Sequence, residues 1–352
     1  MTLFDPAYIG NLELSNRFVR SATGEGAANA NGTITYPFFP LYSNLARGEV
    51  GLIIQGDLYV LDEGKASDGM AGISHDYHLD SLKQLTESVH KAGRSKFAAQ
   101  LNHSGAYSIS TKAPSHRDDM ANRPMSAEDI ENVIIGFRKA ALRAKKAGYD
   151  VIQIHAAHGY LLSQFLSSRT NDRTDSWGGS FENRAQLLLT VYHEVRSAVG
   201  SSFPIIAKMN GSDAPFEGFS VNESLKVARM LAGEGLNAIE ISGMDSARTF
   251  KIANEAYFAS AAREIHQHIG DMPLILVGGL RTYSTMKKLH EDFVDFISMC
   301  RPFIREPDLV QKLKAGKKQA DCRSCNRCHK APGIVDCMAK KKQEAEKTAS
   351  ET

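Results

Sequence analysis

The stretch SAEDIENVIIGFRKAALRAKKAGYDVIQIHAAHGY, residues 126–160, decides the fold. Its first half sets Ile130, Val133, Ile134, Phe137 and Ala141 on one face at helical spacing, and Ser126 with Asp129 three positions on forms a capping box at the start. Its second half, YDVIQIHAA from Tyr149, is a short β-rich run. The same alternation recurs outward in both directions. Further runs are NRFVRSAT from Asn16, VGLIIQG from Val50, KFAAQLN from Lys96, FPIIAKMN from Phe203, LNAIEISG from Leu236, MPLILVGG from Met272 and FVDFISMC from Phe293, which with Tyr149 makes eight. VGLIIQG and PLILVGG are near-continuous apolar runs, as a parallel strand buried on both faces requires. A second capped helix opens at Ser220 with Glu223, carries Leu225, Ala228, Leu231 and Ala232, and stops at Gly233 and Gly235. Helical stretches also follow the other strands, near Tyr42, Leu82, Leu187, Ala261, Met286 and Val310. Eight strands, each followed by a helix, predict an α/β fold, a (β/α)8 TIM barrel in preference to an open sheet.

The opening LFDPAYIGNLELSN, with its Gly-Asn turn, predicts a short N-terminal hairpin on the barrel floor. One barrel domain is expected over residues 1–317. Residues 318–352 form a cysteine-bearing C-terminal appendix ending in the polar KKKQEAEKTASET, expected as a disordered end or a frayed helix. At 42% apolar and 23% charged, the 352 residues have ordinary globular usage, which excludes disorder, collagen and coiled coil for the whole. No apolar run approaches the roughly 18 residues of a membrane span, and the amino end lacks a signal pattern, so a cytoplasmic protein without membrane insertion is expected. Net charge is +2, but residues 311–352 carry eleven Lys or Arg against five Asp or Glu, making that tail +6 and the remainder −4. With no aromatic or groove-fitting element beside it, the tail is a solvated end and nucleic-acid binding is not expected.

Barrel active sites form at the carboxyl ends of the strands. Polar residues there are Gln100 and His103, His155 and His158 with Tyr160 beyond, Lys208 and Asn210, Gly278 and Gly279, and Arg301. Gly-Gly after the seventh strand opens backbone N–H groups to close approach, and Cys300-Arg301 ending the eighth adds an amide and a fixed positive charge. Together they suit a phosphate, although Gly pairs also serve as plain tight turns. HAAHGY could bind zinc, pack in the core or hydrogen-bond a substrate. Zinc is the weaker reading because no Glu or Asp sits at a helpful local spacing. Two imidazoles could instead polarise a carbonyl while Tyr160 supplies a proton.

The stretch HAAHGYLLSQFLSSRTNDRTDSWGGSFENRAQLL resembles the signature region of the Old Yellow Enzyme family of FMN-dependent NAD(P)H:flavin oxidoreductases. LFDPAYIGNLELSNRFVRSAT, AAQLNHSG, AKMNGSD, ILVGGL and DFISMCRPFIREPDL extend the resemblance across residues 1 to about 315. It implies an FMN across the barrel mouth, with Gln100 at the pyrimidine edge, Lys208 near N1 and O2, and Gly278, Gly279, Cys300 and Arg301 at the phosphate. It implies that His155 and His158 bind the activating group of an electron-poor alkene, that hydride reaches the β carbon, and that Tyr160 protonates the α carbon. Lys208 in place of a frequent Arg suggests kinship with the dienoyl-CoA reductase and trimethylamine dehydrogenase branch. Three departures stand out: Ala22-Thr23-Gly24-Glu25 where relatives carry Thr or Cys, so that Thr23 or the Gly24 amide is expected at the ring; Ala106 where an Arg is common; and Cys300 for a usual Gly.

Four of the five cysteines, Cys322, Cys325, Cys328 and Cys337, lie within sixteen residues as C-x2-C-x2-C followed by a fourth. This clustering reads as a [4Fe–4S] cluster ahead of a four-thiolate zinc site, and as either ahead of free thiols. Larger branch members resemble this arrangement and pass electrons onward to a nucleotide-binding domain. Here the chain ends before such a domain, so an electron-transfer partner protein is the corresponding expectation. The leading reading is an FMN-dependent NAD(P)H oxidoreductase acting as an ene-reductase on an α,β-unsaturated carbonyl. Its alternatives are a flavin and iron–sulfur relay module of a larger complex, and a non-redox Schiff-base enzyme using Lys208. The family forms several kinds of oligomer, and a homo-oligomer is left open.

Overall fold

The computed structural model describes residues 1–116, 122–244, 254–331 and 333–351. Strands β1 (Ala7–Ile9) and β2 (Leu12–Leu14) form the expected antiparallel hairpin. The barrel strands are β3 (Phe18–Arg20), β4 (Leu52–Tyr59), β5 (Lys96–Asn102), β8 (Val151–Ala156), β9 (Ile205–Asn210), β10 (Ala238–Ser242), β11 (Leu274–Val277) and β12 (Phe296–Met299). They close a parallel barrel in that order, with β12 pairing β3. The remaining pair, β6 (Lys112–Ala113) and β7 (Arg123–Pro124), lies in the excursion after β5. Each of the eight sequence runs therefore holds one barrel strand.

The 126–146 segment shows how local chemistry sets an element. Ser126 Oγ accepts from the Asp129 amide at 3.1 Å while Asp129 Oδ2 accepts from the Ser126 amide at 2.9 Å. Two otherwise orphaned amides are satisfied, and the helix Ala127–Lys146 starts there. Its buried face, Ile130, Val133, Phe137, Ala140, Ala141 and Ala144, packs on the outside of the barrel. The expected helices at Tyr42, Leu82, Leu187, Ala261, Met286 and Val310 lie within Phe38–Arg47, Leu79–Ala92, Phe181–Val199, Ala259–His266, Tyr283–Asp292 and Leu309–Lys314.

Strand side chains alternate, so each barrel strand sends one set outward to the helices and one inward. The outward set, including Ile152, Ile154, Ile205, Ala207, Ile239 and Ile241, joins the large core. The inward set at the amino ends, including Val19, Leu52, Ala98, Val151, Ile206, Ala238, Ile275 and Phe296, forms a second apolar cluster. Ala7, Ile9 and Leu14 of the hairpin complete that cluster, so the hairpin closes the floor as expected.

The appendix is tied to the barrel mouth. Lys318 O accepts from the Tyr283 amide at 2.9 Å, the Ala320 amide donates to Arg281 O at 2.9 Å, and the Val335 amide donates to Glu25 O at 2.8 Å. The polar end, expected as disordered or frayed, is the helix Met338–Glu351. No helix among the described residues is long and apolar enough to cross a membrane.

Replacing Ser126 with Ala removes one acceptor from the capping box and should cost about 1 kcal/mol. In calorimetry this is a fall of roughly 2 °C in the unfolding temperature; an unchanged temperature would remove the cap from this account.

Candidate active site

Above the apolar floor, the inward alternation turns polar. Val151 is followed inward by Gln153 and His155, Ala98 by Gln100, Ile206 by Lys208, Ala238 by Glu240 and Ser242, Val19 by Ser21, and Phe296 by Ser298. The parallel register sets Gln100 opposite Gln153, and Lys208 opposite both His155 and Glu240. Gln100 Nε2 donates to Gln153 Oε1 at 2.7 Å, and Gln153 Nε2 donates to Glu240 Oε2 at 2.9 Å. Glu240 Oε1 accepts from Ser21 Oγ at 2.7 Å and Ser298 Oγ at 2.8 Å, and lies 3.5 Å from Lys208 Nζ. Lys208 Nζ also donates to Ser21 Oγ at 2.7 Å. Burial opposes ionisation of Glu240, but the Lys208 ammonium and the three side-chain donors outweigh it and hold the carboxyl below its usual range.

This layer is the base of a cavity of about 730 Å³ at the barrel mouth. His155, His158 and Tyr160 all line it, as do Thr23, Gly24, Gln100, Lys208, Gly278, Gly279, Cys300 and Arg301. All the expected catalytic and cofactor residues therefore border one space. His103 and Asn210, at neighbouring strand ends, do not line it. His103 Nδ1 accepts from the Gly105 amide at 3.1 Å, and Asn210 Oδ1 accepts from the His158 amide at 3.0 Å, so both shape the surrounding loops.

The two histidines sit edge to face with ring centroids 5.1 Å apart, and Tyr160 lies 5.2 Å from His155. His158 has a left-handed backbone, φ +62°, and its Nε2 is 2.8 Å from Ser242 Oγ. Burial and the Lys208 charge push His158 down to about 3. Burial, His158 and Lys208 lower His155 in the same direction. Both are neutral imidazoles at physiological pH, able to donate a hydrogen bond without carrying charge. His155 Nδ1 is buried and has no partner within the protein. A buried unpaired ring nitrogen on a cavity wall calls for a ligand.

Sequence reasoning missed Ser21, Gln153, Glu240, Ser242 and Ser298, although their signal was present as polar residues at alternate positions of apolar runs. It also missed Asp57. The β4–β5 register shifts between Gln55 and Leu58, and this bulge breaks the alternation there. Asp57 lines the cavity, with Oδ2 accepting from Asn102 Nδ2 at 3.2 Å. Enclosure raises its carboxyl to about 6, against the lowering effect of a backbone amide and Asn102. The Asp57 charge, then burial, raises the Tyr160 phenol above its ordinary value.

Thr23 Oγ1 is 2.7 Å from Cys300 Sγ, and Thr23 and Gly24 both line the cavity. Gly278 and Gly279 have φ of +142° and +68°, and a Cβ on Gly279 would come within 2.6 Å of the Tyr257 ring. Only glycine suits both the backbone and the close approach there.

A second cavity of about 160 Å³ adjoins the first, and Arg301 lines both. Its walls include Cys322, Cys325, Cys328 and Cys337. Among the described residues no three His, Cys, Asp or Glu side chains are grouped to hold a single metal ion. Burial with the neighbouring Cys300 and Cys322 pushes the Cys328 thiol up to about 12.

The model of the NADH:flavin oxidoreductase / NADH oxidase family matches residues 2–320. The chain is 31% identical over 345 residues to an NADH oxidase of Thermoanaerobacter brockii, covering 93% of this chain and 52% of the oxidase. It thus spans about half the length of that relative. It is 32% identical over 314 residues to an NADPH dehydrogenase of Bacillus subtilis, covering 87% of this chain and 92% of the dehydrogenase. The solved structure of an old yellow enzyme homologue from Zymomonas mobilis superposes with a TM-score of 0.79 at 27% identity, covering 91% of this chain and 95% of that one.

The raised Asp57 carboxyl carries a stability cost with a definite sign. The folded state binds its proton more tightly than the unfolded state, so the cost is absent below about pH 4, grows to about pH 6 and is full above it. Asp57→Asn keeps an acceptor for Asn102 and should stabilise the protein at pH 7.5 by on the order of 2–3 kcal/mol, with no gain at pH 3.5. Denaturant midpoints at the two pH values check this; an equal gain at both would mean that ionisation is not the cause.

Proposed function

The chain belongs to the NADH:flavin oxidoreductase / NADH oxidase family, and on that premise we propose that it is an FMN-dependent NAD(P)H oxidoreductase whose barrel acts as an ene-reductase on electron-poor alkenes. The observation that carries the reading is a single cavity bordered by two neutral imidazoles, a phenol, a buried lysine, a glutamine and a glycine–arginine end. FMN fits this donor set. Gly278 and Gly279 line the cavity with backbone alone, Arg301 offers a planar cation for the phosphate, and Gln100 and Lys208 present donors from the polar layer. When bound, the flavin supplies hydride transfer from a nicotinamide to an alkene.

The chain's own groups supply orientation and a proton. His155 and His158 are neutral donors suited to a substrate carbonyl oxygen as negative charge develops on it. Tyr160, next to His155, is the group suited to protonate the α carbon. The Asp57 carboxylate disfavours tyrosinate and so keeps that proton on the phenol until the substrate carbon takes it. Lys208 provides the positive charge beneath the site. The Schiff-base alternative is disfavoured because Lys208 Nζ is already engaged by Ser21 Oγ and the Glu240 carboxylate.

For the appendix, the C-x2-C-x2-C spacing with a fourth cysteine, and the presence of all four around one cavity, support a [4Fe–4S] cluster ahead of zinc. The arginine shared by the two cavities favours a relay role as the second reading, with electrons leaving the barrel for a partner protein. The 1–317 barrel and the 318–352 appendix then divide the work between hydride chemistry and electron passage.

Two measurements test this. In Tyr160→Phe, stopped-flow reduction of the flavin by NADPH or NADH should stay within about twofold of the parent, while reoxidation by cyclohexenone falls roughly 10²- to 10⁴-fold; equal slowing of both half-reactions would remove Tyr160 as proton donor. Protein purified without oxygen should show flavin bands over a broad iron–sulfur absorption, with about four irons per chain; flavin bands alone with zinc present would replace the cluster by a structural metal.

A further inference from the structure

The cysteine loop borders the flavin cavity as well as its own. Ser324, inside C-x2-C-x2-C, lines the larger cavity, and Asn326 lines the smaller one beside Cys325 and Cys328. Asn326 Oδ1 accepts from Arg301 Nη1 at 2.6 Å, and the Tyr257 hydroxyl accepts from Arg301 Nη2 at 3.3 Å. A guanidinium is a rigid planar fork, so engaging two of its nitrogens fixes the direction of its remaining N–H groups. Asn326 reaches Arg301 from a left-handed backbone, φ +59°, a conformation that Asn tolerates better than most side chains.

We propose that Asn326 is a positioning residue for the flavin site, holding Arg301 in the orientation that receives the cofactor's phosphate, so that the cysteine loop is one wall of that site. The proposal rests on the reading of Arg301 as the phosphate residue. It goes beyond that reading by assigning to the appendix a binding role that does not depend on which metal, if any, its cysteines hold. Arg301 supplies the charge; without Asn326 its fork keeps only the longer bond to the Tyr257 hydroxyl and loses the charge-assisted geometry that discriminates a phosphate.

The test compares FMN with riboflavin, which has the same ring and no phosphate, on full-length protein stripped of flavin and titrated by fluorescence quenching. Asn326→Gly keeps the left-handed backbone while deleting the acceptor, and Asn326→Ser shortens it beyond reach of Arg301. Both variants should bind FMN roughly tenfold or more weakly and riboflavin within twofold of the parent. Arg301→Ala should abolish the preference for FMN over riboflavin. If Arg301→Ala loses that preference while both Asn326 variants keep it, the positioning role is wrong and the phosphate reading stands. If Arg301→Ala keeps the preference, the phosphate reading fails and takes the proposal with it. Equal weakening of FMN and riboflavin in both Asn326 variants would also overturn the proposal, since it would report damage to the cavity in place of loss of phosphate orientation.

Discussion

Inside the barrel, Lys208 and Glu240 face each other on adjacent strands, removed from water, with Nζ 3.5 Å from the nearer carboxylate oxygen. Withdrawing two charges from water costs several kcal/mol each, and such a pair survives only when its other lone pairs and protons are also satisfied. Here they are. Ser21 and Ser298 share one Glu240 oxygen, Gln153 takes the other, and Ser21 accepts from Lys208. That requirement propagates outward. Gln153 must face Glu240, so its carbonyl is presented to Gln100, and the Gln100 side chain is fixed at the cavity base. Lys208 must face inward, so it lies beneath His155 and His158, and its charge adds to burial in lowering both imidazoles. Replacing such a pair by apolar residues of similar volume is often neutral or stabilising. The polar layer is retained at a cost because it fixes both the charge and the hydrogen-bonding sense of the site above it.

The fold was legible because its information is periodic. The helix from Ala127 is announced by its cap and its apolar stripe, and strands such as Ile205–Asn210 by short runs in β-rich segments. The cavity lining was legible where a residue ends a strand, since barrel geometry then sends it to the mouth: His155, Lys208 and Arg301 follow that rule. Glu240 was legible in principle, as a carboxylate in the middle of LNAIEISG, but one sequence does not reveal that three hydroxyl or amide donors and an ammonium converge on it. Asp57 was not legible. A bulge is set by how two strands fit around a closed barrel, and it overrides the alternation from which facing would be read.

The bulge also brings a second carboxylate close. Glu25, just past β3, fills the space left by Gly56, where a Cβ would come within 2.5 Å of its carboxylate. Its Oε1 accepts from the Gly56 amide at 2.8 Å and from the Tyr42 hydroxyl. Burial raises it to about 7, despite Arg20 4.0 Å away. Of these two raised carboxyls Asp57 lines the cavity, whereas Glu25 is held behind it by Tyr42, Gly56 and Arg20. Holding two carboxyls out of water is an unfavourable arrangement near neutral pH. Its cost is carried by the large apolar core outside the strands.

The appendix extends the same economy of shared parts. Its backbone is anchored at Arg281, Tyr283 and Glu25, each adjoining the mouth, so the cysteine loop reaches the barrel already registered against it. Cys300 follows β12 with its sulfur against Thr23, and it packs with Cys328, Cys337 and Ile304 in a small cluster between the two cavities. A glycine at position 300 would leave that contact empty, and a larger side chain would press on Thr23. A cysteine there gives a compact apolar filler at the place where the two cavities meet. Arg301, the next residue, then faces both. Because one side chain borders two cavities, a change in the occupancy of either alters its surroundings in the other, and any resulting coupling must act equally in both directions.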